Sequence, residues 1–306
     1  MSVLTESVQF DKYHGTGNDF LVVDAGESIP SRPAFAVAHC DRETGVLASD
    51  HVGESADVAT DHTADDLDSR RGADGVLFLA LERGYNPARV VMTLVQPDGS
   101  VAAMCGNGAR VAARWAHDRT GGTAFMIDTP AGTRRAVVRD DETITVEMGV
   151  PSFEPRDVPL ARENPLVDEP VAGLSVTAVD TGVPHAVAVV DDVDDVDLDE
   201  VAPPVRHADV FPEGANVTLA SRAGDRQFRQ RTFERGVEGE TRSCGTGAVA
   251  VGAVARRLDL IDGDDPVTVS PPGGDLEIGV PEGGAATLTG PVAYEYSGEL
   301  EAAPET

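Results

Sequence analysis

Residues 104–110 read MCGNGAR, and the chain repeats this pattern as SCGTGAV at residues 243–249. In both places a Cys-Gly-x-Gly-Ala motif opens a run rich in alanine, GNGARVAARWAHD in the first copy and GTGAVAVGAVARRLD in the second. The second run is apolar on almost every side up to Arg256, which predicts a helix buried within the protein. The two motifs therefore predict two central helices, each with a cysteine at its amino-terminal end.

The duplication extends beyond the cysteine motifs. TPAG at residues 129–132 leads through a hairpin pattern to MGVP at 148–151, and SPPG at 270–273 leads in the same way to TGPV at 289–292. Upstream, GTGNDFLVVD is similar to TGVPHAVAVVD. Self-similarity over such a long period indicates two copies of one structural unit.

Most of the remaining chain alternates short runs of β-branched residues with turn signals, for example RVVMTLV followed by QPDG. Runs closed in this way by Gly, Pro, Asn and Asp predict the strands of antiparallel sheets. Together with the duplication, this pattern predicts an α+β fold of two pseudo-symmetric, barrel-like β-rich domains, each wrapped on one central helix.

The charge is strongly negative, because 53 acidic residues stand against 24 basic ones and give a formal net charge of −29. Such self-repulsion destabilises a compact protein unless salt screens it, which indicates a halophilic, high-salt cytosol. The same balance argues against nucleic acid and membranes as partners, since phosphate binding needs clustered cations. An acidic segment poor in large apolar residues, at about residues 49–68, is expected to be a disordered surface loop.

The chain has no run of about eighteen apolar residues, and its start lacks the features of a signal peptide, so we expect a soluble, cytoplasmic protein. Its three cysteines are too few for a disulfide framework, and without a CxxC or Cys/His cluster no metal is expected. Cys40 is expected to be a small core residue.

The amino end of a helix presents unpaired N–H groups and the positive end of the helix dipole. A cysteine there is expected to have a lowered pKa, so that its thiolate forms near neutral pH. Two such ends facing each other would hold the carboxylate of an amino acid and place one sulfur on each face of its α-carbon. This arrangement predicts inversion by two bases, in which one thiolate removes the α-proton and the opposite thiol delivers a proton. No cofactor is expected, and Lys12, the single lysine, is the only residue that could anchor pyridoxal phosphate.

The chain resembles the diaminopimelate epimerases, cofactor-independent isomerases that interconvert LL- and meso-2,6-diaminopimelate in lysine biosynthesis. The matching segments span nearly the whole sequence and read YHGTGNDFLVVD, ADGVLF, PDGSVAAMCGNGAR, GVPHAV, FPEGANV, FERGVEGETRSCGTGAVA and GPVAYEYSGEL. The resemblance implies two domains that meet at a cleft holding the active site, with the last strand returning to the first domain. The expected domains are residues 1–148 with 290–306, and residues 149–289. The implied partner is the small-molecule substrate, and a homodimer is left open.

The resemblance also implies roles for individual residues. Cys105 and Cys244 match the acid/base pair, and His185 and Glu234 match residues that tune the pKa values of the cysteines. The positions that match substrate-binding residues are Asn18, Gln96, Gly106, Asn107, Asn216, Glu234, Arg235, Gly245 and Thr246.

Two departures from the family pattern concern the distal end of the substrate. Val183 stands where the family usually has asparagine, and Gln96 stands where it often has a shorter amide. The main alternative is a proline or hydroxyproline racemase of the same fold, which Asn107 disfavours because that family resembles MCGHG at the first cysteine. A hydrolase or transferase built on one activated cysteine would leave the second cysteine unexplained. An amino-acid-binding module would not need sulfur at either helix end.

Overall fold

The computed structural model describes residues 7–51 and 71–304. The acidic segment expected as a surface loop, about residues 49–68, falls largely outside these described residues. Its first two residues, Ser49 and Asp50, lie in a short 3-10 helix over Ala48–Asp50, which His51 closes.

The chain divides into two compact units, residues 1–144 with 291–306 and residues 145–290. The helices of the first unit are α1 (Arg32–Cys40) and α2 (Gly106–Thr120). Its strands are β1 (Ser7–Gly15), β2 (Asn18–Asp24), β3 (Gly75–Glu82), β4 (Ala88–Val95), β5 (Val101–Ala102), β6 (Ala124–Thr129), β7 (Gly132–Val138) and β18 (Ala293–Glu301). Antiparallel pairs join β18 to β1, β1 to β2, β3 to β4, β4 to β5 and β6 to β7. Parallel pairs join β2 to β3 and β4 to β6.

The helices of the second unit are α3 (Leu198–Arg206) and α4 (Gly245–Arg257). Its strands are β8 (Ile144–Gly149), β9 (Glu169–Val171), β10 (Leu174–Asp180), β11 (Pro184–Val190), β12 (Asn216–Gly224), β13 (Gln227–Glu234), β14 (Gly239–Thr241), β15 (Val267–Ser270), β16 (Leu276–Gly279) and β17 (Ala286–Gly290). Antiparallel pairs join β9 to β10, β10 to β11, β12 to β13, β13 to β14, β15 to β16 and β16 to β17. Parallel pairs join β11 to β12 and β13 to β15. Strand β8 also pairs with β17.

The two units share one order of elements and pairings. Strands β1 to β5, helix α2 and strands β6 and β7 pair in the same sequence as β10 to β14, α4, β15 and β16. In each unit a helix, α1 or α3, also connects the first parallel strand pair. The predicted duplication and the α+β fold class are confirmed.

Both central helices are largely buried within their units. Helix α4 is buried from Gly245 through Ala255, as its apolar sequence predicts. A Cβ at Gly252 would lie 3.1 Å from Ile278 Cγ2, so this glycine lets α4 approach β16 closely. Helix α2 buries most of its length, including Trp115. The first turn of each helix therefore starts inside the fold, and the motif cysteines lie there.

Candidate functional site

A tight turn sets the position of Asn18. Gly15 pairs with Asn18 across β1 and β2, so the hairpin loop consists of Thr16 and Gly17. Both loop residues have positive φ, 54° and 88°, as a type I′ turn requires. Thr16 Oγ1 accepts a hydrogen bond from Arg110 Nη2 at 2.8 Å, which ties the turn to α2. The HGTGNDF segment thus places Asn18 at the first position of β2.

Cys105 caps the amino end of α2, which begins at Gly106. Its backbone is extended (φ −145°, ψ 116°), and its Sγ accepts a hydrogen bond from the Gly108 N–H at 3.3 Å. A Cβ at Gly108 would lie 3.2 Å from Leu77 and 3.6 Å from the Cys105 sulfur. The second glycine of the motif therefore lets the helix end close against β3. Cys105 is partly exposed.

A chain of side chains leads from α2 to the start of β2. Asn107, only 1% exposed, donates through Nδ2 to Asn18 Oδ1, and Asn18 Nδ2 donates to Asp74 Oδ2 at 3.0 Å. On its other side, Asn107 Oδ1 accepts a hydrogen bond from Arg110 Nη2 at 2.6 Å. The first unit thus brings the predicted residues Asn18 and Asn107 together. Asn107 lies two positions after Cys105.

The carboxylate of Asp74 belongs to a partly buried ionic cluster. Arg42 donates to Asp74 at 2.5 Å and to Asp19 at 2.7 Å, and Lys12 Nζ lies 2.6 Å from Asp19. Burial works to raise the pKa of Asp19, yet the charges of Lys12 and Arg42 hold it well below its usual range. The single lysine of the chain is therefore fixed as an ion-pair partner in the first unit.

Cys244 holds the N-cap position of α4, with Gly245 as the first helical residue. Its backbone is extended (φ −120°, ψ 102°), and its Sγ lies 3.4 Å from Thr246 Oγ1. A Cβ at Gly247 would lie 2.6 Å from Gln230 Nε2, and Gln230 donates to the Cys244 carbonyl at 3.2 Å. The second motif thus closes its helix end against β13, as the first closes against β3.

The helix-end position predicts a lowered pKa for both cysteines, and for Cys244 this prediction is wrong. Burial raises the pKa of the Cys244 thiol well above its usual value, and the charge of Glu234 raises it further. Hydrogen bonds from the Thr246 hydroxyl and the Gly247 N–H act in the opposite direction without compensating. Only 6% of Cys244 is exposed, so the desolvation of a thiolate outweighs the favourable helix end.

His185 is fully buried on β11 and lies next to Thr246 rather than next to the sulfur. Its Nε2 lies 3.0 Å from Thr246 Oγ1, and its Nδ1 lies 3.1 Å from Thr218 Oγ1. Burial lowers the pKa of His185 to about 3, and the charge of Arg235 contributes, so the imidazole is neutral at neutral pH. The predicted pKa-tuning histidine is therefore separated from Cys244 by one hydroxyl group.

Three further predicted residues of the second unit lie close to His185 or Cys244. Asn216 Nδ2 lies 3.4 Å from His185 Nε2, and Asn216 Oδ1 accepts a hydrogen bond from the Arg235 N–H at 2.7 Å. The Arg235 guanidinium donates to two backbone carbonyls of the FPEGANV segment at 3.2 and 3.3 Å. Glu234 accepts a hydrogen bond from Thr241, and its charge acts on Cys244.

The two residues that depart from the family pattern lie in turns. Gln96 follows β4, and its Nε2 donates to Ser100 Oγ at 2.7 Å, outside the Asn107–Asn18–Asp74 chain. Val183 lies between β10 and β11, where its carbonyl accepts a hydrogen bond from the Thr181 N–H at 3.2 Å. Neither side chain is placed by a hydrogen bond to another predicted site residue.

Four residues that hold the site in place are absent from the sequence predictions. Asp74 and Arg110 lie inside the quoted segments ADGVLF and MCGNGAR, so their positions offered a signal. Thr218 and Gln230 lie on strands where only the fold brings them to His185 and to Gly247.

The described residues, 7–51 and 71–304, contain no group of three or more His, Cys, Asp and Glu placed to hold a metal ion. Over the same residues no helix has both the length and the apolar character needed to cross a membrane.

A protein-family model described as Diaminopimelate epimerase matches residues 54–154 and 177–295. The diaminopimelate epimerase of Methanocella arvoryzae is 40% identical over 303 residues, which cover 96% of this chain and 97% of that protein. The chain belongs to the diaminopimelate epimerase family. A bacterial member, the diaminopimelate epimerase of Xanthomonas axonopodis pv. citri, is 37% identical over 95% of this chain and 96% of its own length. The resemblance drawn from the motifs is confirmed.

Solved structures share the fold of this diaminopimelate epimerase family member at low sequence identity. A PhzF-family phenazine biosynthesis protein of Bacillus anthracis superposes with a TM-score of 0.63 at 15% identity, over 96% of this chain and 99% of that one. A hydroxyproline epimerase from Agrobacterium vitis gives a TM-score of 0.61 at 18% identity, over 96% and 91%. At these identities the likeness concerns the fold alone, and it agrees with the α+β class.

Replacing Thr246 with valine should lower the turnover of this family member by about tenfold, equivalent to about 1.4 kcal/mol for one lost hydrogen bond. Valine preserves the shape of threonine but removes the hydroxyl between His185 and Cys244. Steady-state kinetics would measure the effect. Thr246→Ser is the matched control, because it keeps the hydroxyl and should retain most activity. Retained activity in Thr246→Val together with a loss in Thr246→Ser would show that the methyl group, and not the hydroxyl, is required.

Proposed function

We propose that this protein interconverts LL- and meso-2,6-diaminopimelate with a pair of cysteines, Cys105 and Cys244. One cysteine removes the α-proton, and the other delivers a proton to the opposite face of the carbon. The observation that carries the proposal is the duplicated helix end, in which a cysteine caps each central helix and the glycine three positions later holds that end against a strand. Relatives named diaminopimelate epimerase that match nearly the full chain support the same reaction. We infer a pyridoxal-phosphate-independent isomerase of lysine biosynthesis in the cytoplasm.

The carboxylate at the reacting carbon is proposed to bind at the two helix ends. Gly106 and Asn107 begin α2, and Gly245 and Thr246 begin α4. The first N–H groups of a helix have no acceptor within that helix, and the helix dipole favours an anion there. The same donors would stabilise the enolate-like charge that develops on the carboxylate when the α-proton leaves.

The two cysteines are proposed to enter the reaction in different protonation states. Burial and Glu234 favour the thiol form of Cys244 before the reaction, which makes it the proton donor in the direction in which Cys105 is the base. In the reverse direction the two sulfurs exchange these roles. His185 would support the Cys244 thiol through Thr246, whose hydroxyl lies within 3.4 Å of both groups. Activity then requires one ionised and one protonated sulfur, so the pH profile should be bell-shaped, with two pKa values that belong to the pair.

The remaining predicted residues are proposed to bind the polar ends of the substrate. Asn18 and Asn216 supply amides, and Glu234 and Arg235 supply opposite charges for an amino group and a carboxylate. Gln96 is retained as a distal contact that would have to leave Ser100 to reach the substrate. The two-domain division at residues 148 and 149 and the homodimer stay predictions.

The proposal is tested by incubating the purified protein with LL-diaminopimelate in high salt without pyridoxal phosphate, and separating the stereoisomers by chromatography. We expect the meso isomer to form, and we expect no racemisation of L-proline or trans-4-hydroxy-L-proline under the same conditions. Activity confined to the proline substrates would establish the racemase alternative. Failure to convert any of the three amino acids at any salt concentration would refute the epimerase proposal.

Salt should stabilise the protein, since the net charge of −29 makes the folded chain repel itself. Raising KCl from about 0.1 M to about 1 M shortens the screening length from about 10 Å to about 3 Å. We expect the melting temperature, measured by differential scanning calorimetry, to rise by several degrees over this range. Sucrose at matched osmolality is the control and should give a smaller rise. A melting temperature independent of KCl would contradict the proposed high-salt cytosol.

A further inference from the structure

Arg110 is a fully buried guanidinium whose hydrogen-bond acceptors are all neutral. It lies on α2, five positions after Cys105, and is 0% exposed. Its Nη1 donates to the Pro291 carbonyl at 2.9 Å, and its Nη2 donates to Thr16 Oγ1 at 2.8 Å and to Asn107 Oδ1 at 2.6 Å. Its Nε is buried and has no hydrogen-bond partner. A buried cation held only by neutral groups is costly unless a negative charge lies nearby.

Other strongly buried cations of the described chain have carboxylate partners. Lys12, 1% exposed, pairs with Asp19 at 2.6 Å, and Arg206, 9% exposed, pairs with Glu238 at 2.9 Å. Within residues 7–51 and 71–304, no carboxylate lies within 4.0 Å of Arg110. The lack of a carboxylate therefore distinguishes Arg110 from both of these residues.

The charged groups that α2 and its neighbouring strands carry have other partners. Arg114 pairs with Asp118, which also accepts from Tyr13, and Arg119 pairs with Asp11 of β1. Arg89 of β4 pairs with Glu82 of β3 and with Asp128 of β6, and Lys12 of β1 pairs with Asp19 of β2. His117 of α2 contacts the Gly122 carbonyl, and Arg134 of β7 donates to backbone carbonyls. His14 of β1 and Arg135 of β7 also make interactions of their own.

Cys105 is the N-cap of the helix that carries Arg110, so a Cys105 thiolate would place a negative charge on the same helix end. Burial lowers the pKa of Arg110 to about 10, and the negative charge of a Cys105 thiolate opposes this lowering. The guanidinium therefore remains protonated at neutral pH. Asn107 connects the two residues, because its Oδ1 accepts from Arg110 and it follows Cys105 by two positions on the same helix end.

We propose that Arg110 is a positioning residue that supplies the buried counter-charge for the Cys105 thiolate and fixes Asn107 against Asn18. The inference deepens the proposed function, on which it rests for the assignment of Cys105 as the base. The planar guanidinium suits this place because it reaches three acceptors in different directions, from the turn between β1 and β2, from α2 and from the segment before β18. A Cβ on Gly15 would lie 3.5 Å from both Arg110 Nη2 and the Pro291 carbonyl, so the backbone closes around the guanidinium.

The test measures the pKa of Cys105 itself, from the pH dependence of its alkylation by iodoacetamide, with peptide mapping by mass spectrometry to follow this cysteine alone. In Arg110→Gln, which removes the charge, we expect the Cys105 pKa to rise by about one pH unit or more and alkylation below that pKa to slow by about tenfold. In Arg110→Lys, which keeps the charge but not the planar fork, the Cys105 pKa should stay near its wild-type value while kcat falls. Arg114→Gln, one turn later on the same helix and in contact with solvent, is the matched control and should change neither.

A Cys105 pKa that is unchanged in Arg110→Gln would overturn the proposal. If Arg110→Gln does not fold, as judged by circular dichroism, Arg110→Lys alone decides, because a Cys105 pKa raised in that charged variant would also overturn it. Alkylation needs no turnover, so the result is separate from the proposed function. If the protein had no epimerase activity, alkylation would still show whether Arg110 acts on Cys105. If the enzyme were active but the Cys105 pKa were unchanged in Arg110→Gln, the inference about Arg110 would be refuted while the proposed function would stand.

Discussion

The variants Cys105→Ser and Cys244→Ser should each epimerise the substrate about 10²- to 10⁴-fold more slowly, because this is the usual contribution of a general acid or base. A serine hydroxyl does not ionise near neutral pH, so Cys105→Ser would lack the proposed base. Cys244→Ser would offer a far weaker acid than the proposed proton donor. The rate would be measured by chromatographic separation of the two diaminopimelate isomers, in both directions of the reaction.

The third cysteine provides the matched control for these substitutions. Cys40 is fully buried in the core of the first unit, and burial raises its pKa to about 12, so it has no part in proton transfer. Cys40→Ala should therefore retain epimerase activity even if its stability falls. The two-base mechanism would be contradicted by a serine variant at either motif cysteine that epimerises the substrate at a rate close to that of Cys40→Ala.

Methionine in place of Lys12 should destabilise the protein by about 3–5 kcal/mol, the usual cost of removing one partner of a buried ion pair. Among the residues that the structure describes, the substitution leaves the carboxylate of Asp19, 2% exposed, with Arg42 as its only cation, and the Arg42 side chain is 46% exposed. It also removes the donor to the Gly72 carbonyl at 2.6 Å. Because the folded state depresses the pKa of Asp19, the lost stabilisation is present at neutral pH and disappears only when acid protonates Asp19. Urea unfolding at neutral pH in high salt would measure it.

A surface ion pair gives the comparison for Lys12. Arg89, 35% exposed, lies 2.8 Å from Asp128 and 3.3 Å from Glu82. Exposed pairs contribute up to about 1 kcal/mol, so Arg89→Met should destabilise the protein far less than Lys12→Met. Similar losses in the two variants would contradict the structural role assigned to the single lysine.

The features that sequence predicts well are those encoded by local pattern. The two cysteine caps and the buried helix α4 follow from glycine positions and apolar periodicity within short segments. The shared order of strand pairings follows from the long-period repeat, because two copies of one sequence pattern adopt one topology. The candidate residues of each unit are close in the structure largely because they lie in or beside these local motifs.

Properties that depend on tertiary contact are less accessible from sequence. A helix end predicts a lowered cysteine pKa, but at Cys244 the surrounding fold excludes water, and burial reverses the sign. The His185 contact to Thr246 joins β11 to α4, and the Asn18 contact to Asp74 joins β2 to the segment before β3. No periodicity in one segment specifies such partners, since they are set by which strands become neighbours.

The reaction run in D₂O tests the central claim most directly. The claim is that one cysteine sulfur removes the α-proton and a second sulfur delivers a proton to the opposite face of the carbon. Purified protein in high salt, without pyridoxal phosphate, would be given LL-diaminopimelate, and both stereoisomers would be analysed by mass spectrometry while conversion is still small. Two-base chemistry predicts meso product carrying one deuterium at an α-carbon, while the remaining LL substrate stays unlabelled. Deuterium entering the LL substrate as fast as it enters the meso product would indicate a single base, and would contradict the roles given to Cys105 and Cys244.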